Sequence, residues 1–77
     1  MELDKLKIRF NYTLARLRKG ELYVTSNAYM EAKPQVQEQA IKLLERLEND
    51  LIAYRQRYKE LTGRDMTDKE YDNGFYD

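Results

Sequence analysis

The chain has 77 residues, with 14 basic and 14 acidic side chains, no histidine and no cysteine. This length suits one domain, residues 1–77, which buries only about 60% of its unfolded surface and so has a small core. The composition excludes disulfides, thiolate metal sites and catalysis by a histidine base. No apolar run approaches the ~20 residues that span a bilayer, so we expect no membrane contact and a cytoplasmic location.

The charges alternate in blocks along the chain. The net charge is +4 over residues 1–20, −3 over 21–54, +3 over 55–64 and −4 over 65–77. Such alternation favours pairing within a helical bundle or between subunits over a single field directed at a polyanion.

The first predicted element is a helix over residues 2–19. Its apolar side chains recur at three- and four-residue steps: Leu3, Leu6, Phe10, Leu14 and Leu17. Acidic residues lie in the first turn and basic residues in the last, and Gly20 is placed to end the helix as its C′ residue. A second, shorter apolar stripe (Ile8, Tyr12 and Ala15) lies on another face, so we expect this helix to meet more than one neighbour.

Residues 21–33 are predicted to form a connector. Alternation around Tyr23 indicates a short extended piece, and Ser26 or Asn27 can cap a helical turn over residues 28–32. We expect the connector to lay its apolar side chains over the end of the helix pair: Leu22, Val24, Tyr29 and Met30.

The second long helix is predicted over residues 34–62, from Pro34 in its first turn to a stop at Gly63. Its apolar positions follow heptad steps of four and three, which predicts a packing or dimer seam. The seam consists of Ala40, Leu44, Leu47, Leu51, Tyr54, Tyr58 and Leu61. The sequence therefore predicts an all-α fold, a hairpin of two long antiparallel helices.

Residues 64–77 form an acidic, aromatic tail. Thr67 and Glu70 match a capping box that starts one helical turn, and Asn73-Gly74 ends it. Phe75 and Tyr76 are either a fraying end or an apolar hook packed back on the bundle. Asp68, Glu70 and Asp72 match the first three positions of a calcium loop, but the glycine comes one residue late and the closing carboxylate is missing. We therefore predict no metal site.

Two basic clusters are the candidate binding residues. One lies on the first helix (Arg9, Arg16, Arg18 and Lys19) and the other near the end of the second (Arg55, Arg57 and Lys59). In the heptad register, the second cluster is divided by the seam, so Tyr54 and Tyr58 are expected to pack rather than stack on bases. The first cluster fits an acidic protein partner, for which the chain's own tail is one candidate, or nucleic-acid phosphates.

The sequence predicts no catalytic residue and no cofactor, because its one serine has no histidine to activate it. A 29-residue helix is about 43 Å long, whereas a compact 77-residue domain is about 30 Å across. The seam therefore overhangs unless the connector and tail, a second copy or another protein covers it. Chains of this kind are common among small phage and prophage inhibitors. We expect a protein-binding regulator or inhibitor, with a nucleic-acid-binding regulator and an assembly component as alternatives.

Overall fold

The computed structural model describes residues 2–76, and Met1 and Asp77 lie outside the described residues. It contains four helices: α1 (Glu2–Val24), α2 (Asn27–Glu31), α3 (Pro34–Thr62) and α4 (Asp68–Asn73). Helices α1 and α3 run antiparallel, because Glu2 pairs with Arg57 at one end and Gly20 meets Leu44 toward the other. The predicted all-α helical hairpin is confirmed. The molecule measures 45 × 22 × 20 Å, as long as α3 itself.

Helix α1 is longer than its sequence predicts. It continues through Gly20 to Val24, so the predicted end at residue 19 and the C′ role of Gly20 are wrong. The predicted acidic first turn is present, with Glu2 and Asp4, but the predicted basic last turn is wrong, because the last turn of α1 contains no basic residue. The helix ends where the Thr25 hydroxyl donates a hydrogen bond to the Leu22 carbonyl (3.0 Å). Ser26 N–H then donates to the Tyr23 carbonyl (2.9 Å), which satisfies another carbonyl of the last turn.

Gly20 has a packing role instead of a terminating one. Its φ is not positive, so it does not need the left-handed conformation. A Cβ at this position would collide with the end of the Leu44 side chain. The glycine therefore lets a leucine of α3 lie directly against the backbone of α1.

The connector is helical rather than extended. Leu22, Tyr23 and Val24 belong to α1, and Ser26 caps α2 by accepting a hydrogen bond from the Tyr29 N–H (3.4 Å). The expectation that the apolar connector residues cover the helix pair is wrong for two of them, because Leu22 and Met30 are 72% and 71% exposed. Tyr29 instead packs edge-on against Tyr23, with ring centroids 5.8 Å apart.

Helix α3 has the predicted bounds. Pro34 occupies its first turn, and Gly63 ends it with φ of 77°, a left-handed conformation that glycine adopts without strain. The Gly63 N–H closes the last turn on the Lys59 carbonyl (2.8 Å). The helix is continuous, so the whole heptad seam lies on one face.

The C-terminal segment, residues 64–76, packs back on the helix pair as a hook. The predicted capping box is present: Thr67 accepts from the Glu70 N–H (3.1 Å), and Glu70 accepts from the Thr67 N–H (3.0 Å). Phe75 inserts its ring between Phe10 and Tyr58, at centroid distances of 5.5 and 5.4 Å. Asn11 holds the Phe75 backbone by accepting from its N–H (2.6 Å) and donating to its carbonyl (3.2 Å).

The core fills only one half of the molecule. Among residues 2–76, its eight buried side chains are Leu6, Phe10, Leu14, Leu17, Leu47, Leu51, Tyr58 and Met66. Between residues 18 and 46 no side chain is buried. We call the half that contains the core the base, and the half formed by residues 18–46 the tip. The C-terminal segment therefore covers the seam at the base, but the tip has no comparable cover.

Candidate functional site

The side of α1 that faces away from the core is the most distinctive surface of the molecule. We call it the outward face; its eight side chains are all exposed: Lys5, Ile8, Arg9, Tyr12, Ala15, Arg16, Lys19 and Leu22. At about 100° per residue, Ile8 and Tyr12 point roughly 200° away from the buried Phe10 and Leu14. Helix α1 therefore carries two apolar stripes on opposite sides, of which one forms the core and the other contacts solvent.

The exposed stripe is apolar at its centre. Ile8 is 68% exposed, Tyr12 58% and Leu22 72%. With Ala15 and the aliphatic stem of Lys19 they follow steps of four and three residues, the spacing of a helix that packs on another helix. An apolar stripe at regular spacing in solvent is typical of an interaction surface.

Four cations border this stripe: Lys5, Arg9, Arg16 and Lys19, again at steps of four, seven and three residues. None of them forms an ion pair with another residue of the 2–76 range. The Arg16 guanidinium lies 5.8 Å above the Tyr12 ring centroid, which holds both side chains on the surface. The outward face is therefore both apolar and positively charged. Lys5 is not among the predicted binding residues, although its spacing of four residues from Arg9 places it on this face.

Arg18, the remaining predicted cation of α1, lies elsewhere. It pairs with Glu21 (2.9 Å) and donates to the Asp72 carbonyl (3.0 Å), so it ties α1 to α4. The expectation that the tail meets the basic end of the first helix therefore applies to Arg18. Arg9, Arg16 and Lys19 make no hydrogen bond to the C-terminal segment within residues 64–76.

The three predicted cations of α3 make contacts within the chain. Arg55 lies 4.9 Å above the Tyr71 ring, and Lys59 lies 3.6 Å from Asp65. Arg57 pairs with Glu60 and Glu2, both at 3.1 Å, and these hydrogen bonds and charges raise the pKa of its guanidinium. Each of the three cations therefore contacts different residues of the chain, and sequence spacing alone does not reveal these partners.

The seam of α3 lies against α1 and the C-terminal segment. Leu47, Leu51 and Tyr58 are buried, and Leu44, Tyr54 and Leu61 pack partly buried against the same core. Met66 joins them at 2% exposure. It was missed because one methionine in a loop gives no periodic signal.

A shallow groove runs between α1 and α3 beside the outward face. It has a volume of about 330 Å³, and it is lined by Glu2, Lys5, Leu6, Arg9, Tyr54, Arg57 and Leu61. Three of these seven side chains are cationic. The groove extends the positive surface of α1 toward α3, where an acidic side chain of a partner can be held by hydrogen bonds to ionised donors.

Metal chemistry finds no support in the described residues. Within residues 2–76 there is no group of three or more metal-ligating side chains. Asp68, Glu70 and Asp72 lie on helix α4, so they do not form a loop around one point. No helix in the same range combines the length and apolar character needed to cross a membrane.

Comparison with protein-family models, with curated proteins and with solved structures finds no match to this chain.

Proposed function

We propose that this protein is a small, non-catalytic binding protein whose outward face docks on an acidic surface of another protein. The observation that carries the proposal is the second apolar stripe of α1, exposed at Ile8, Tyr12 and Leu22. Its bordering cations form no ion pair within residues 2–76. Burial of three large apolar side chains supplies binding free energy, and the cations select and orient an acidic partner.

Stoichiometric binding of this kind suits an inhibitor or regulator of host or defence machinery, such as phages and prophages encode, acting in the cytoplasm. A neutral chain with one positive face can associate quickly with an acidic protein.

A second candidate is a nucleic-acid-binding regulator. Lys5, Arg9, Arg16 and Lys19 span about 21 Å along α1, at about 1.5 Å per residue, and can contact successive phosphates. The centre of the face disfavours this function, because Ile8 and Leu22 would stay in contact with water while the cations bound the backbone.

The test compares capture of proteins from the native host by three forms of the full chain. The first is the wild type, and the second carries Arg9→Glu, Arg16→Glu and Lys19→Glu. The third carries Lys69→Glu, a control that reverses an exposed cation on α4. We expect the triple variant to keep its melting temperature and to lose the proteins that the other two forms retain.

Two results would contradict the proposal. One is equal capture by all three forms. The other is a large loss of melting temperature in the triple variant, which would make the cations structural. Fluorescence anisotropy with a labelled DNA or RNA duplex separates the second candidate: steep salt-dependent binding that the triple substitution abolishes would favour it.

A further inference from the structure

We infer that α3 carries an acidic docking surface, and that its occupant is the outward face of a second copy of this chain. We call this surface the acidic stripe; its five side chains are all exposed: Glu38, Ile41, Glu45, Glu48 and Ile52. At about 100° per residue, Ile41 and Ile52 lie roughly 120–140° around α3 from Leu47, which is buried in the core. The acidic stripe is therefore separate from the seam that packs on α1.

The acidic stripe combines exposed apolar side chains with unpaired carboxylates. Ile41 is 40% exposed and Ile52 58%. Neither Glu45 nor Glu48 forms an ion pair with another residue of the 2–76 range. Lys42, a cation at the border of the stripe, pairs with its first carboxylate (3.0 Å). The centre of the stripe is therefore both apolar and negatively charged, the reverse of the outward face in charge.

The surface beside the acidic stripe is concave. Glu48 and Ile52 line a groove of about 280 Å³ between α1, α3 and α4. Ile41 and Glu45 line a second groove of about 420 Å³, which extends to Tyr29 of α2. A groove along a helix can receive the side-chain ridge of another helix. The acidic stripe is therefore shaped for a helix that presents apolar and cationic side chains in one row.

The outward face presents such a row with the same spacing. Both surfaces contain a stretch with steps of three, four and three residues, the spacing of helices that pack side by side. The two stretches are Arg9, Tyr12, Arg16 and Lys19 on α1, and Glu38, Ile41, Glu45 and Glu48 on α3. When the two helices lie side by side in parallel, the apolar positions coincide and each cation lies beside a carboxylate. The two surfaces are therefore complementary in both charge and apolar character.

The two surfaces cannot meet within one molecule. The groove beside the outward face is lined by Tyr54 and Leu61, which lie roughly 160–180° around α3 from Ile52. The contact therefore joins two molecules. Because the two surfaces differ, each copy gives its outward face to one neighbour and its acidic stripe to another, as in a heterologous assembly. Two outward faces would instead repel each other, because their charges have the same sign.

This inference rests on the docking role proposed for the outward face, and it identifies an acidic surface that the face can bind. The contact is short, about 15 Å from Arg9 to Lys19 at about 1.5 Å per residue. One helix pair of this length lies at the low end of specific interfaces, so self-association should be weak, in the micromolar range or above. Sedimentation velocity of the full chain, from low micromolar to near-millimolar concentration, should show a reversible increase in mean mass that high salt reduces.

Two neutral variants test the pairing of the surfaces. The face variant carries Arg9→Gln, Arg16→Gln and Lys19→Gln, and the stripe variant carries Glu45→Gln and Glu48→Gln. Glutamine is a good helix former, so both variants should keep the wild-type melting temperature. Each variant alone should self-associate about tenfold more weakly than the wild type, since two or three exposed ion pairs are lost. An equimolar mixture should form a 1:1 dimer that grows no further, because it contains one intact pair of surfaces.

The matched control removes two exposed carboxylates outside the acidic stripe, through Glu60→Gln and Asp68→Asn. It has the same net charge as the stripe variant and should self-associate like the wild type. The inference is overturned if the wild type stays monomeric, if the control loses as much association as the stripe variant, or if the mixture associates no better than either variant alone. A monomeric wild type that captures a basic protein only while Glu45 and Glu48 are intact would also overturn it, because the occupant would be that protein.

The proposed function is tested separately, by capture of host proteins at submicromolar concentration, where the weak contact between copies is not formed. A mixture that does not associate, together with capture that depends on the outward face, would refute only the contact between copies. A mixed dimer that forms, together with equal capture by all forms, would refute only the docking on another protein.

Discussion

Gly20 brings α1 and α3 into close contact at the junction between base and tip. Its missing side chain leaves the space that the Cδ2 methyl group of Leu44 occupies. In a helix interior glycine costs about 1 kcal/mol relative to alanine. The close approach of Leu44 offsets that cost.

The first prediction concerns this contact. Gly20→Val should destabilise the protein by about 1–3 kcal/mol through overpacking, although valine is intrinsically the better helix former. In a Leu44→Ala background the same change should cost little, because the shorter side chain leaves room. Thermal or urea unfolding of the four proteins gives the coupling energy. Equal losses in both backgrounds would show that Leu44 does not limit the space at Gly20.

Glu70 links the stability of α4 to pH. The backbone N–H of Thr67, its hydroxyl and the charges of Arg64 and Lys7 lower the pKa of this carboxyl below 4.5, against the opposing effect of burial. A lowered folded-state pKa adds stability that is complete above the unfolded value and is lost as pH falls through the folded value.

The second prediction follows from that sign. Wild type should melt above Glu70→Gln at pH 7, because glutamine keeps the hydrogen-bond acceptor but not the charge. The difference should shrink toward zero as the pH falls from about 5 to about 2, where the wild-type carboxyl is protonated. Melting curves of both proteins across this range check it, and a constant difference would contradict the role of the charge.

At the scale of elements, the C-terminal segment completes the core of the base. Phe75 reaches Phe10 and Tyr58, and the two hydrogen bonds of Asn11 fix its backbone. Lys7 lies 5.4 Å above the Phe75 ring and covers its outer side. Because the contacts of Phe75 with Lys7, Phe10 and Asn11 join residues more than 60 positions apart, the segment packs the C-terminal part of the chain against the first helix.

The third prediction concerns this closure. Phe75→Ala should destabilise the protein by about 2 kcal/mol, below the usual range for phenylalanine because the ring is only partly buried. Hydrogen exchange of the Tyr71 and Gly74 amides should accelerate, since both close turns of α4. The neighbouring Tyr76, which is 69% exposed, provides the control: Tyr76→Ala should change neither quantity. Unchanged exchange in Phe75→Ala would show that α4 docks without the ring.

The elements differ in how far sequence specifies them. Helix α3 was predicted with its bounds because Pro34, Gly63 and the heptad pattern agree. Helix α1 is predicted too short because Gly20 resembles a helix terminator. In the structure, Gly20 instead makes room for the side chain of Leu44, which lies 24 positions further along the chain. Local patterns specify an element when its determinants lie within it, and they fail when the determinant belongs to a partner segment.

At the scale of the whole molecule, the radius of gyration is 14.5 Å, against about 11.5 Å for a compact chain of this length. The length of α3 predicts an overhanging seam unless the connector and tail or another chain covers it; the C-terminal segment covers the base, and no side chain between residues 18 and 46 is buried. The sequence groups Arg9, Arg16, Arg18 and Lys19 as one basic cluster, but Arg18 donates to the Asp72 carbonyl and lies apart from the other three. Whether a cation is engaged by the fold depends on tertiary contacts that a linear pattern does not contain.

The uneven core has a further consequence for motion. The base is held by every buried side chain, whereas the tip is held by half-buried contacts around Gly20, Leu44 and Tyr29. Local opening costs least where few apolar contacts must be broken, so the tip should fray and re-form while the base stays folded. The tip can therefore change its conformation while the base, which contains the buried core, keeps the molecule folded.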